Sequence, residues 1–317
     1  MQKLAFVIPC YRSENTVLTV VEEIERTMAE RGWDRYEIIL VNDGSPDRVW
    51  EVIRQRSRED GRVIGVNLAR NFGQHCALMA GYHQAEGDVI ISLDDDGQTP
   101  ADRVFDLLDA LEEGYDAAYA AYEENRRGVR RWGSDFAHRM SCYMLDLGRD
   151  QPKGSSFFAM KRFIRDEIIR YDHPYPYMSG LIFRATRNVK MVPMRSRDRA
   201  YGSSGYSLRK LISLWMNGFT AFSVKPLEFG AILGFVIAAL GFLFALVTVI
   251  RKLVTPSIPA GWSSMIAAIL VIGGVIMIML GLIGEYVGRI YICLNRSPQF
   301  VVREITGKDK EISKGRS

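Results

Sequence analysis

The chain has 317 residues, 25% of them charged, with a formal net charge of +4 and a mean hydropathy of −0.03. That length holds one sizeable domain and a smaller appendage, and so slight a positive balance excludes a strong nucleic-acid footprint. Cys10, Cys76, Cys142 and Cys293 lie far apart with no metal-ligand spacing, which excludes a zinc module and fits a reducing compartment.

Leu4–Ile8 reads as a strand stopped by Pro9, too short an apolar run for a signal peptide. Thr16–Met28 has helical spacing, and Glu37–Val41 is a second strand that ends in Asn42-Asp-Gly-Ser-Pro-Asp47, where Asp43-Gly44 turns the chain. A helix over about Arg48–Arg56 leads to strand Val63–Asn67, then to Arg70-Asn-Phe-Gly-Gln74 and a helix around His75–His83. Gly87–Ser92 follows as an apolar, β-branched strand. Strands alternating with helical patterns argue a parallel, doubly wound α/β sheet.

That last strand runs into Leu93-Asp-Asp-Asp-Gly-Gln98, three consecutive carboxylates at the carboxyl edge, where open α/β sheets bind ligands. Packing does not explain them, because unpaired buried charge is costly and like charges repel. In an extended backbone Asp94, Asp96 and Gln98 point to one side and Asp95 to the other. Two carboxylates and an amide oxygen suit a hard cation, Mg²⁺ or Mn²⁺, which also takes substrate phosphates. The alternative is a solvated acidic turn.

Several motifs in order, Pro9-x-Tyr11, Asn42-Asp-Gly-Ser-x-Asp47, Arg70-Asn-x-Gly73 and Asp94-x-Asp96-x-Gln98, resemble the family 2 glycosyltransferases of the GT-A fold. Asn71-Phe-Gly-Gln-His-Cys-Ala-Leu-Met-Ala-Gly-Tyr82 and Gly281-Leu-Ile-Gly-Glu-Tyr-Val-Gly-Arg-Ile-Tyr291 are similar to the branch acting on polyprenyl phosphates. That branch includes the undecaprenyl-phosphate aminoarabinose transferases, bactoprenol glucosyl transferases and dolichol-phosphate mannose synthases. The resemblance covers roughly residues 4–302 and implies a GT-A-like, Rossmann-type, mostly parallel sheet flanked by helices.

The resemblance also implies roles. Pro9, Tyr11, Glu14, Asp43, Arg70, Asp94, Asp95 and Arg199 would bind the nucleotide sugar, with Asp43 on the base and Arg199 on the diphosphate. Asp94, Asp96 and Gln98 would hold the metal, and Asp94, Asp96 and Arg199 would be the catalytic set. Arg126, Arg130, Arg131 and Ser134 would take the lipid phosphate. Three places depart from the family pattern: Ser13 stands where a Glu is usual, with Glu14 one step later, Gly205 replaces a lysine, and Ser155-Ser156 replaces an aspartate.

The C-terminal third differs in character. Phe229–Ile250 and Met265–Gly284 carry no charge, and the first of them spans roughly 33 Å as a helix, enough to cross a bilayer. Residues 126–143 interleave Arg126, Arg127, Arg130, Arg131 and Arg139 with Trp132, Phe136 and Met140, as either a solvated basic helix or an interfacial helix on an anionic lipid would, and the two apolar runs favour the second. Leu208–Phe222, with Trp215 and Phe219, reads as a second such helix. The basic tail 285–317 carries Arg289, Arg296, Arg303, Lys308, Lys310, Lys314 and Arg316, against Arg251 and Lys252 in the loop 251–264. The positive-inside rule then places residues 1–225 and both termini in the cytoplasm of a multi-pass protein of the bacterial inner membrane. Glycines along both spans admit close packing, possible between copies of the chain.

The expected protein is thus a membrane-anchored, metal-dependent, inverting glycosyltransferase, with a UDP- or GDP-linked sugar as donor and polyprenyl phosphate as acceptor. Its rivals are a processive polysaccharide synthase and a non-catalytic membrane scaffold. Two spans make a poor polymer channel. A scaffold would have no reason to keep Asp94, Asp96 and Gln98.

Overall fold

The computed structural model describes residues 2–122, 155–195, 225–254, 261–295 and 297–307. Four strands, β1 (Leu4–Cys10), β2 (Tyr36–Asn42), β3 (Val63–Leu68) and β4 (Val89–Ser92), alternate with α1 (Val17–Glu30), α2 (Val49–Glu59) and α3 (Gln74–Tyr82). They pair in parallel in the order β4-β1-β2-β3. These are the elements the periodicity indicates, within a few residues at each end. β1 is buried along its whole length because its two faces meet two cores. Leu4, Phe6 and Ile8 pack under α1, α2 and α4 (Val104–Glu112), whereas Ala5 and Val7 pack under α3. A strand covered on both sides has no polar face, which is why its sequence is an unbroken apolar run.

Pro9 does not stop β1, as the sequence reading expects; the strand continues to Cys10. β4 pairs only with Leu4–Val7, so beyond Val7 that side of β1 is open. A proline there removes no ladder hydrogen bond on the open side. Gly81 lets α3 lie close on the sheet: a Cβ at this position would sit 2.3 Å from Val7 Cγ1 and 3.1 Å from Val41 Cγ2.

The sheet is larger than the sequence reading. β5 (Ala117–Tyr122), β6 (Phe158–Lys161), β7 (Val189–Met194) and β8 (Val302–Thr306) extend it to eight strands, ordered β7-β5-β6-β4-β1-β2-β3-β8. β6 runs antiparallel between β4 and β5, with Ser92 opposite Phe158. Two short helices, α5 (Arg162–Ile168) and α6 (Met178–Ala185), join α3 on the second face.

Two long helices, α7 (Lys225–Val254) and α8 (Trp262–Leu294), pack against each other. Among the described residues one stretch, Ile272–Leu294, is long and apolar enough to cross a membrane, and none of it is buried; α7 contributes the shorter apolar stretch Gly234–Leu243. That stretch begins seven residues after the expected Met265 and ends ten past the expected Gly284. After α8 the chain returns to the sheet, so part of the segment expected as a basic tail is edge strand β8, antiparallel to β3. Gln299 anchors the return by donating to the carbonyls of Tyr171 (3.3 Å) and His173 (2.8 Å), and Ala69 N–H donates to Val301 O at 2.8 Å. The expected interfacial helices 126–143 and 208–222 lie outside the described residues.

Candidate active site

The carboxyl ends of β1, β2 and β4 converge on one edge, and their loops are tied together by side-chain oxygens. From β2, Asn42 Nδ2 donates to Asn67 Oδ1 at 2.8 Å, clipping this strand to β3, while Asn42 Oδ1 accepts Ser45 N–H at 3.0 Å. Ser45 Oγ in turn accepts Arg12 N–H at 2.8 Å and donates to Asp47 Oδ1. Glu14 closes this ring: its N–H reaches Asp47 Oδ2 at 3.1 Å and its carboxylate accepts Arg48 N–H at 2.9 Å, at the start of α2. A carboxylate beside a helix N-terminus opposes the positive end of the dipole. Arg12 sits at φ 59° inside this network, a left-handed conformation that costs energy for a side-chain-bearing residue and is held by the bonds around it.

Asp43 is nearly fully buried, and both oxygens are engaged: Oδ1 accepts Phe72 N–H at 2.7 Å and Oδ2 accepts Gly73 N–H at 2.8 Å. Burial raises its pKa, and the two backbone donors oppose that rise. The contact brings the 70–73 loop against Gly44, whose φ is +59° and where a Cβ would lie 2.3 Å from the Arg70 carbonyl carbon. Asp43 is therefore a clasp between two loops. Beyond it Arg70 lays its guanidinium over the Phe72 ring, 4.6 Å from the centroid. Tyr11 is 43% exposed on the site's rim, whereas Pro9 is buried in β1.

The acidic triplet is not extended. β4 ends at Ser92, and residues 95–97 form a bend in which Gly97 adopts φ +72° and Asp96 Oδ1 accepts Gln98 N–H at 3.0 Å. Such local side-chain-to-backbone bonding curls the chain. Asp94 and Asp95 nonetheless diverge. Asp95 turns toward β1 and accepts Tyr11 N–H at 2.9 Å. Burial, with the neighbouring Asp94 charge adding to it, pushes its pKa up to about 6 against the Tyr11 N–H, which lowers it. Asp94 turns the other way, accepting from Gln74 Nε2 at 2.8 Å and from the Ser156 hydroxyl.

Among the described residues no three His, Cys, Asp or Glu side chains cluster to hold a metal by themselves. The donor set at the strand end fits a different kind of site. Asp94, Asp96 and Gln98 are oxygen donors of the hardness that Mg²⁺ or Mn²⁺ prefers, and these ions keep few protein ligands when phosphate oxygens complete the shell. Arg126, Arg130, Arg131, Ser134 and Arg199 lie outside the described residues. The sequence reading missed the contacts of Gln74 and Ser156 with Asp94. Gln74 opens a helix next to a glycine turn, a signal of position but not of partner.

A doubly wound sheet with its loops tied at one carboxyl edge, an acidic strand end there and a helical hairpin after it form the arrangement of an open α/β ligand-binding protein. Residues 5–172 match glycosyl transferase family 2, and residues 225–290 match the GtrB C-terminal hairpin. The chain belongs to glycosyl transferase family 2. It is 32% identical to the uncharacterized glycosyltransferase YkcC of Bacillus subtilis strain 168, over 96% of this chain and 94% of that one. It is 31% identical to the undecaprenyl-phosphate 4-deoxy-4-formamido-L-arabinose transferase of Proteus mirabilis, over 98% and 96% of the two chains. The fold is GT-A-like. It matches glucosyl-3-phosphoglycerate synthase from Mycobacterium tuberculosis, crystallised with Mn²⁺, UDP-glucose and phosphoglyceric acid, at a TM-score of 0.52 and 17% identity, over 70% of this chain and 78% of that one. Mannosyl-3-phosphoglycerate synthase from Rubrobacter xylanophilus matches at a TM-score of 0.50 and 15% identity, over 68% and 71%.

Proposed function

We propose that this glycosyltransferase is membrane-anchored and inverting, and that it moves a sugar from a UDP- or GDP-linked donor to a polyprenyl phosphate, most simply undecaprenyl phosphate. One observation carries the reading: an acidic GT-A strand end shares its chain with an apolar hairpin whose Ile272–Leu294 stretch buries nothing. A soluble acceptor gives no reason for such a helix, whereas an acceptor confined to a bilayer requires the enzyme to meet it there. The likeness to a transferase named for undecaprenyl phosphate, over nearly the whole chain, supports the same acceptor.

In the reaction an oxygen of the lipid phosphate bonds to C1 of the sugar on the face opposite the nucleotide, and the C1–O bond to the diphosphate breaks. One displacement inverts C1, and the nucleoside diphosphate leaves with the bonding electron pair. A phosphate monoester has a second pKa of about 6, so near pH 7 most of the acceptor is already a dianion. No general base is needed, and the protein's part is to align the reactants and stabilise the leaving charge. When bound, Mg²⁺ or Mn²⁺ supplies positive charge to the departing diphosphate. The clasp of Asp43 shapes the 70–73 side of the donor pocket, and Asp95 holds the Tyr11 backbone on the other. Arg199 would add charge to the diphosphate, and Arg126, Arg130, Arg131 and Ser134 would seat the lipid phosphate. The positive-inside balance of the sequence supports a site on the cytoplasmic face of the bacterial inner membrane.

The test is incubation of membranes carrying the full chain with a panel of UDP- and GDP-sugars and undecaprenyl phosphate, with lipid products weighed by mass spectrometry. The expected result is a single glycosyl-phospholipid that disappears with excess chelator. Transfer to a soluble acceptor, with the lipid phosphate untouched, would refute the assignment.

A further inference from the structure

Gln74 and Ser156, which both donate to Asp94, come from elements far apart in sequence. Gln74 is the first residue of α3, and its Nε2–H reaches Oδ1 at 2.8 Å. Ser156 stands two residues before β6, which pairs antiparallel with β4, so the register that sets Phe158 against Ser92 carries the Ser156 hydroxyl to Oδ2. Each oxygen of this carboxylate thus accepts from a neutral donor, Gln74 on Oδ1 and Ser156 on Oδ2. Ser155 is occupied differently: its Oγ accepts Phe157 N–H at 3.1 Å, which shapes the approach to β6.

We propose that Gln74 and Ser156 are positioning residues that orient the Asp94 carboxylate for a divalent cation shared with the donor diphosphate, and that Ser156 takes no proton from the acceptor. The proposal rests on the reading of this strand end as a cation–diphosphate site. The physical reason is directional. A carboxylate at a strand end swings about its side-chain torsions, and donors from two different elements hold it in one orientation before the ligand arrives. An aspartate at 156 would set a second negative charge within hydrogen-bonding distance of Asp94, and the two would repel. A serine hydroxyl donates instead and leaves the charge of the site intact. A hydroxyl of ordinary basicity is a poor proton acceptor near neutrality, and a phosphate acceptor that is mostly dianionic near pH 7 brings no proton to remove.

Partners that orient a metal-ligating group contribute typically 10–100-fold to metal affinity. The experiment is Mn²⁺ titration of the full-length protein in detergent, with UDP or GDP present, followed by the electron paramagnetic resonance signal of free Mn²⁺. Ser156→Ala and Gln74→Ala are each expected to weaken Mn²⁺ binding by about tenfold or more, and Ser156→Thr, which keeps the hydroxyl, to restore it. In an Asp94→Asn background the added loss from Ser156→Ala should vanish, because coupled residues are not additive. At saturating Mn²⁺, Ser156→Ala should retain kcat within about tenfold, below the 10²–10⁴ of a general base, with the acid limb of the pH–rate profile unmoved. Wild-type Mn²⁺ affinity in both alanine variants overturns the positioning role. A kcat loss beyond about a hundredfold at unchanged affinity overturns the exclusion of base catalysis. Failure of the wild type itself to bind Mn²⁺ with either nucleotide overturns the site reading and the proposal with it.

Discussion

Replacing Asp43 by Asn separates the clasp seen in the structure from a base-contacting role. The side chain is 3% exposed, with Phe72 N–H on one oxygen and Gly73 N–H on the other. Asparagine keeps the shape but presents one acceptor, so one of the two backbone donors meets an NH₂ group. The lost bond to a charged acceptor contributes about 1.5–3 kcal/mol, and a buried N–H left unpaired costs about 1–3 kcal/mol. Burial already disfavours the Asp43 charge, so the neutral amide recovers part of this loss. The net expectation is a destabilisation of about 2 kcal/mol, a fall in melting temperature of about 4–8 °C. Thermal unfolding of the detergent-solubilised chain, followed by tryptophan fluorescence, reads this directly, and calorimetric titration with UDP and GDP reads the pocket. Both should weaken together, since the clasp holds the 70–73 loop. An unchanged melting temperature with reduced nucleotide affinity would refute the clasp and favour a direct contact with the base.

Asp96→Asn should lower turnover by at least a hundredfold, on the order of an electrostatic contact made to the developing charge, while the melting temperature holds; near-normal activity under chelation in the wild type would remove the metal from the scheme. Gly81→Ala would stabilise an open helix by up to about 1 kcal/mol. Here its Cβ meets the stiff side chain of Val7, so overpacking of about 1–3 kcal/mol should reverse the sign, which denaturant unfolding checks. His75 is held neutral by burial, its pKa lowered from 6.5 to about 4, with Nδ1 buried and unpartnered among the described residues. The unfolded chain binds this proton first as pH falls, so stability should drop between about pH 6.5 and 4 and level off below. The full shift corresponds to at most about 3 kcal/mol, and to less because part of the residue reaches solvent. The same acid slope in His75→Phe would assign the loss to other groups.

Much of this architecture is written locally. The β1–α1–β2–α2–β3–α3–β4 order is legible because each buried strand is an apolar run and each helix repeats its apolar positions at helical spacing. The acidic triplet is legible too, since three charges ending a buried strand have no explanation in packing. The helical hairpin shows itself in two long uncharged runs. Periodicity says which residues are buried, however, and not against what. Phe158–Lys161 is a four-residue strand with no pattern of its own, and only pairing with β4 and β5 makes it the strip that brings Ser156 to Asp94. Val302–Thr306 reads as part of a basic tail until the return from α8 lays it against β3. That Asp43 clasps the 70–73 loop is not legible either, since the fold engages both its oxygens with backbone some thirty residues on. Partners so distant in the chain are chosen by strand order and register, which depend on every other element, and a single stretch of sequence carries no record of them.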